Sequence, residues 1–208
     1  MLLSACRRAR ISIPSKGILP QLFLGMVSAL PLVAAIADST QKLETAVKIT
    51  SVKLVSQPML YVTATASMAE IPAFMGTAFA TLGQFLGTSG VKALGPPLAV
   101  YHDWSGDETA VDLGFPVSAD DARKASGTVL AGMTPGGHAL KVVHVGPYDD
   151  FPAIYAAIGA AMKDAAIPDS PRMWEVYLNE PGVTPDAELI TEIYAQVSAE
   201  DAAKFPMR

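Results

Sequence analysis

The chain predicts an α+β fold: a duplicated βαββ module, with an antiparallel sheet, one helix per repeat packed on it, and a cleft at the pseudo-twofold. Three observations lead there. The order strand, helix, Pro-rich turn, strand, strand occurs twice, over about residues 47–118 and 127–198. An apolar stripe of helical period occurs once in each half. And Ala99-Val100-Tyr101-His102-Asp103 aligns with Glu175-Val176-Tyr177-Leu178-Asn179, valine on valine and tyrosine on tyrosine. Half of the 208 residues are hydrophobic and only 17% are charged, enough apolar side chain for a sizeable core.

The elements follow in order. Residues 1–16 are basic and polar, and residues 18–37 carry no charge and end Ala35-Ile36-Ala37 before Asp38. That small-x-small ending predicts a signal peptide over 1–37, cleaved after Ala37, and a periplasmic or secreted protein. An uncleaved anchor is the alternative, because twenty apolar residues just span a bilayer; Pro20, Gln21 and Pro31 count against it. Any membrane contact would come only through this segment. Residues 38–46 form a linker, and 47–208 the domain. Val47 to Leu54 alternates like a half-buried strand and Met59 to Thr65 continues it. Pro72 suits a first helical turn, and Ile71, Phe74, Met75, Ala78, Leu82 and Phe85 make one stripe. Gly87 to Gly90 stops the helix. After the turn Gly95-Pro96-Pro97, strands are expected at Leu98–His102 and Val111–Val117.

Residues 118–126 read as the connector. A strand at Leu140–Val145 leads through Gly146-Pro147-Tyr148-Asp149-Asp150, where an Asp is available as N-cap. The second stripe is Phe151, Ile154, Tyr155, Ile158 and Met162. Strands at Met173–Leu178 and Leu189–Val197 complete the repeat.

Charge and composition exclude several functions. Arg7, Arg8, Arg10 and Lys16 are the only charges before Asp38, which leaves 11 of the 15 basic residues against all 20 acidic ones, a net −9. Such a body repels phosphate backbones, so no nucleic-acid partner is expected. The single cysteine, Cys6, lies in the leader, which removes thiolate chemistry from the domain. His138 and His144 are six apart on one strand, about 20 Å at ~3.3 Å per residue, so they cannot share an ion. No metal and no cofactor are expected. No nucleophile elbow, phosphate loop or dinucleotide fingerprint is present.

The chemistry concentrates at Glu175. On a strand Met173, Glu175 and Tyr177 share one face, and Trp174, Val176 and Leu178 the other. A carboxylate among apolar residues must find a partner or take up a proton. A cationic ligand is one such partner, with Tyr177 and Tyr101 offering aromatic faces; an exposed Glu175, or one paired with Arg172 or Lys141, is the plainer possibility. Trp174 and Trp104 suit core or cleft wall.

His144-Val145-Gly146-Pro147-Tyr148-Asp149, Trp174 to Asn179, Thr184-Pro185 and Thr191-Glu192-Ile193-Tyr194 resemble the GyrI-like small-molecule-binding domain, the effector-binding domain of AraC- and MerR-type regulators. Gly95-Pro96-Pro97 with Tyr101-His102-Asp103-Trp104 resembles that family's first repeat. The resemblance implies a ligand cleft at the pseudo-twofold, Glu175 as the pocket acid that meets lipophilic cations, and Tyr101 and Tyr177 as pocket aromatics. The resemblance covers only this effector-binding part, so transcriptional control by this chain is not expected. The expected ligand-binding residues are Glu175, Tyr177, Tyr101, Trp174, Trp104 and Tyr148, and the expected partner is a hydrophobic or cationic small molecule. Binding without turnover is the leading expectation. The alternatives are a hydrolase of a reactive electrophile with Glu175 as general base, and haem or tetrapyrrole binding with His102 as axial ligand, since the SOUL proteins share this duplicated fold.

Overall fold

The computed structural model describes residues 47–102, 108–170 and 172–207. The leader, the linker and Trp104 lie outside the described residues. Eight strands form one antiparallel sheet: β1 (Thr50–Leu54), β2 (Pro58–Ser67), β3 (Leu98–His102), β4 (Glu108–Pro116), β5 (Leu130–Met133), β6 (Gly137–Val145), β7 (Arg172–Tyr177) and β8 (Ile190–Gln196). Their order across the sheet is β1-β6-β8-β7-β3-β4-β2-β5.

That order reads alike from both edges if β1, β2, β3 and β4 correspond to β5, β6, β7 and β8. The registers agree. Tyr61 pairs with Leu130, and Lys141, 80 positions after Tyr61, pairs with Thr50, 80 positions before Leu130. The first strand of each half therefore pairs with the other half. In the middle, Ala99 pairs with Glu175. The spacing that carries Tyr101 onto Tyr177 also carries Ala99 onto Glu175, so the centre of the repeat falls between those two residues.

Two long helices, α1 (Ile71–Ser89) and α3 (Phe151–Asp164), pack on one face of the sheet. α1 buries Ile71, Ala78 and Leu82 against Leu60, Val62, Val111 and Leu113. α3 buries Ile158 and Met162 against Leu140, Val142, Ile193 and Ala195. The inward set of each strand thus meets the apolar stripe of its helix, as the two periodicities require. Both helices open on a proline, Pro72 and Pro152, where the missing N–H costs nothing. Asp150 is the residue before α3, but its side chain makes no capping bond, contrary to expectation, because its backbone is already helical. Gly90 ends α1 with φ of 61°, a left-handed conformation that suits glycine.

Two one-turn helices, α2 (Ala119–Ala122) and α4 (Ala199–Ala202), follow β4 and β8. Ser118 accepts from the Asp121 amide and Ser198 from the Asp201 amide, both at 3.0 Å, so even these caps recur 80 residues apart. α2 falls in the expected connector, and β5 is a strand that the sequence pattern did not mark. The opposite face of the sheet carries a smaller cluster of Leu98, Val100, Ala139, Trp174 and Tyr194.

Candidate functional site

The two central strands bring Glu175 to the floor between α1 and α3. Its side chain is only 3% exposed. Three tyrosine hydroxyls donate to the carboxylate. Tyr101, on β3, reaches Oε2 at 3.0 Å, and Tyr177, two residues along β7, donates to the same oxygen. Tyr155, on α3, donates to Oε1 and ties that helix to the sheet through the acid. Burial pushes the Glu175 carboxyl above its ordinary range, and the three hydrogen bonds offset part of that rise. Burial first, then the charge of Glu175, lifts the hydroxyls of Tyr101, Tyr155 and Tyr177 well above the usual tyrosine range, so they stay protonated donors.

Above this floor lies a cavity of 1730 Å³, larger than the roughly 300–1,000 Å³ of an ordinary drug-sized pocket. α1 lines it with Ile71, Pro72, Met75, Gly76 and Phe79; α3 lines it with Phe151, Pro152, Tyr155, Ile158, Gly159 and Met162. The aromatic rings form a connected wall. Phe79 stands edge-on to Tyr177 at 6.5 Å, Tyr177 to Tyr148 at 5.9 Å, and Tyr148 lies 5.2 Å from Phe151. Rings in such contact present π faces that attract a cation. No Lys, Arg or His is among the described lining residues, whereas Glu175, Asp169 and Glu180 are. A cationic guest would therefore meet acid and aromatic faces, with no competing positive charge among the described lining residues.

The expected site residues separate into three groups. Glu175, Tyr101, Tyr177 and Tyr148 line the cavity. Trp104 is outside the described residues. Trp174 does not line it: strand parity turns Trp174 to the opposite face, where it is 2% exposed and stacked on Tyr194 at 5.0 Å. The haem alternative meets the same difficulty. His102 sits next in register to Arg172 on that opposite face, and its Nε2 lies 2.6 Å from Asp112 Oδ2. It does not line the cavity, so it is not placed to ligate a guest there. On sequence Tyr155 reads as a core residue of its helical stripe, with the stripe residues nearest the cleft within reach of a ligand, and it was not among the expected site residues. Its hydroxyl was the available signal, because a phenol on a buried stripe must have a polar partner.

Gly159 has a measurable consequence of its own. It is in the interior of α3, and a Cβ built there meets nothing within 4 Å. Gly159→Ala should raise unfolding stability by about 0.5–1 kcal/mol, the helix penalty of glycine relative to alanine. Chemical denaturation of the unliganded protein measures it, with an unchanged m-value.

The family model for the GyrI-like small-molecule-binding domain matches residues 48–198. Among solved structures, the C-terminal domain of EcmrR is similar, with TM-score 0.63 at 19% identity over 73% of this chain and 98% of that one. EcmrR within an EcmrR–DNA complex gives TM-score 0.62 at 18% identity, over 80% of this chain but 65% of that one. SAV2435 bound to tetraphenylphosphonium gives TM-score 0.57 at 13% identity, over 74% and 96%. At these identities the likeness is one of fold. Among curated protein sequences, none matches the chain.

Proposed function

The chain belongs to the GyrI-like small-molecule-binding family, and from that premise we propose that its central cleft takes up a hydrophobic organic cation held over Glu175. The observation that carries the reading is the buried carboxylate itself, held by three tyrosine hydroxyls in a cavity with no basic residue among its described lining. An acid kept in an apolar wall is costly unless a positive charge or a proton meets it. The tyrosines aim donors at the ionised form and so keep the carboxylate ready for a cation. That SAV2435 is bound to tetraphenylphosphonium shows that a chain of this fold holds such a molecule. The acidity of residues 38–208 weighs against a phosphate-backbone partner.

Calorimetric titration with methyltriphenylphosphonium and its neutral counterpart, triphenylphosphine oxide, tests the reading. The phosphonium should bind about tenfold or more tightly, a modest share of what close charge pairs contribute. Equal affinities would remove the charge from the explanation. Incubation with a reactive electrophile, followed by mass spectrometry, separates binding from hydrolysis: no product that depends on Glu175 should form. We read residues 1–37 as an export leader that delivers this binding domain outside the cytoplasm. N-terminal sequencing of the exported chain should then begin at Asp38, and a chain retaining Arg7 would refute cleavage there.

A further inference from the structure

The two walls of the cleft share part of one plan. Lining residues recur 80 positions apart on the two helices: Pro72 with Pro152, Met75 with Tyr155, Phe79 with Gly159. The last pair breaks the match in size. Phe79 fills its side, edge-on to Phe115 at 6.3 Å and to Tyr177 at 6.5 Å. At the corresponding place on α3 the exposed Gly159 has no side chain, and the space where a Cβ would stand is open, as it also is at Gly76 on α1, one turn before Phe79. Four alanines, Ala156, Ala157, Ala160 and Ala161, stand around the pair Ile158-Gly159 and favour the helix. An alanine at 159 would fit and would favour the helix. What it would remove is room next to the bare helix backbone. That room opens one helical turn from Tyr155, whose hydroxyl is bonded to Glu175.

We propose that Gly159 determines shape specificity, its recess accepting one arm of a branched, non-planar aromatic cation whose charge sits at Glu175. The inference rests on the cation reading above and adds to it. Phe79 on the facing helix offers a ring edge to the same guest, so the cleft grips a branched molecule from two unlike sides. A flat molecule leaves the recess empty and gains nothing from it.

The experiment compares wild type and Gly159→Phe against four probes by calorimetry. The charged pair is methyltriphenylphosphonium, branched, and 1-methylquinolinium, flat; the neutral pair is triphenylphosphine oxide and quinoline. Wild type should prefer the branched member of a pair. In Gly159→Phe the branched-to-flat affinity ratio should fall by about tenfold or more, the scale on which one misfitting group is rejected by a pocket. Gly159→Ala guards against misfolding: the ratio should fall in the same direction, by roughly twofold to fivefold, while the melting temperature rises. An unchanged ratio in both variants overturns the proposal, and so does a wild type that prefers flat probes or binds none of the four. Failure of the cation reading shows differently, as equal affinity for the charged and neutral pairs, and the shape ratio then still decides the role of Gly159.

Discussion

Glu175→Gln is expected to abolish the preference for cations while making the unliganded protein more stable at neutral pH. The two effects have one cause. In the folded chain the carboxylate is buried among Tyr101, Tyr155 and Tyr177, and burial raises its pKa despite their hydrogen bonds. A group whose folded pKa is raised contributes its stability in full below its unfolded pKa. That contribution is lost as pH rises through the folded pKa. Wild type should therefore lose stability relative to Glu175→Gln from the ordinary glutamate range upward, and the two curves should run parallel once the folded carboxyl is ionised. Other titrating groups are common to both proteins and cancel in the difference. Glutamine keeps the volume and an acceptor oxygen for the tyrosines, so the floor of the cleft should persist.

For the ligand the sign reverses. A phosphonium would lose its charge partner, and removing one member of a buried charge pair costs about 2–5 kcal/mol, roughly 30-fold or more in affinity. The neutral phosphine oxide should not weaken, because it has no charge for the carboxylate to hold and its oxygen can accept from the glutamine amide. Thermal melts from pH 4 to 8 and calorimetry with both probes read the two halves of the prediction. A variant that binds the phosphonium as tightly as wild type would remove Glu175 from recognition. A variant less stable than wild type at neutral pH would show that the tyrosine bonds outweigh the burial of the charge.

Much of this arrangement is written in local pattern. The alternation Met173-Trp174-Glu175-Val176-Tyr177 fixes which residues share a face, and the structure keeps that parity. The same parity already told against Trp174 as a neighbour of Glu175, so its misplacement came from expecting a tryptophan in an aromatic-lined cleft. The stripes of α1 and α3 were legible because helical period and apolar residues coincide. β5 was not legible. Leu130-Ala131-Gly132-Met133 has neither alternation nor β-branched residues, and its strand state comes from pairing with Pro58 to Tyr61 on β2. That pairing is between residues some seventy positions apart, which no local window contains. Gly159 was hidden for a related reason. A helix glycine reads as a weak point in the sequence, and only the open space at its missing side chain, on a cavity wall, gives it another meaning.

Tyr155→Phe isolates the remaining step, the link from helix to acid. The ring stays, so its edge contact with Phe151 at 6.3 Å is retained. Only the hydroxyl that donates to Glu175 Oε1 is removed. A hydrogen bond to a charged group contributes about 1.5–3 kcal/mol, so the variant should be destabilised by about that much where Glu175 is ionised. The loss should shrink at acidic pH, where a protonated carboxyl depends less on donors. The bond favours the ionised form, so removing it should move the Glu175 titration further upward. Cation binding, followed as a function of pH, should then half-saturate at a higher pH than in wild type. Tyr194→Phe is the control: it deletes a hydroxyl that donates to Glu192 on the opposite face and should leave the pH profile of binding unchanged. A profile that shifts equally in both variants would mean that the tyrosines act through general stability. A shift confined to Tyr155→Phe would mean that α3 holds the carboxylate in its charged state, so that the helix lining the cleft also sets the charge its ligand meets.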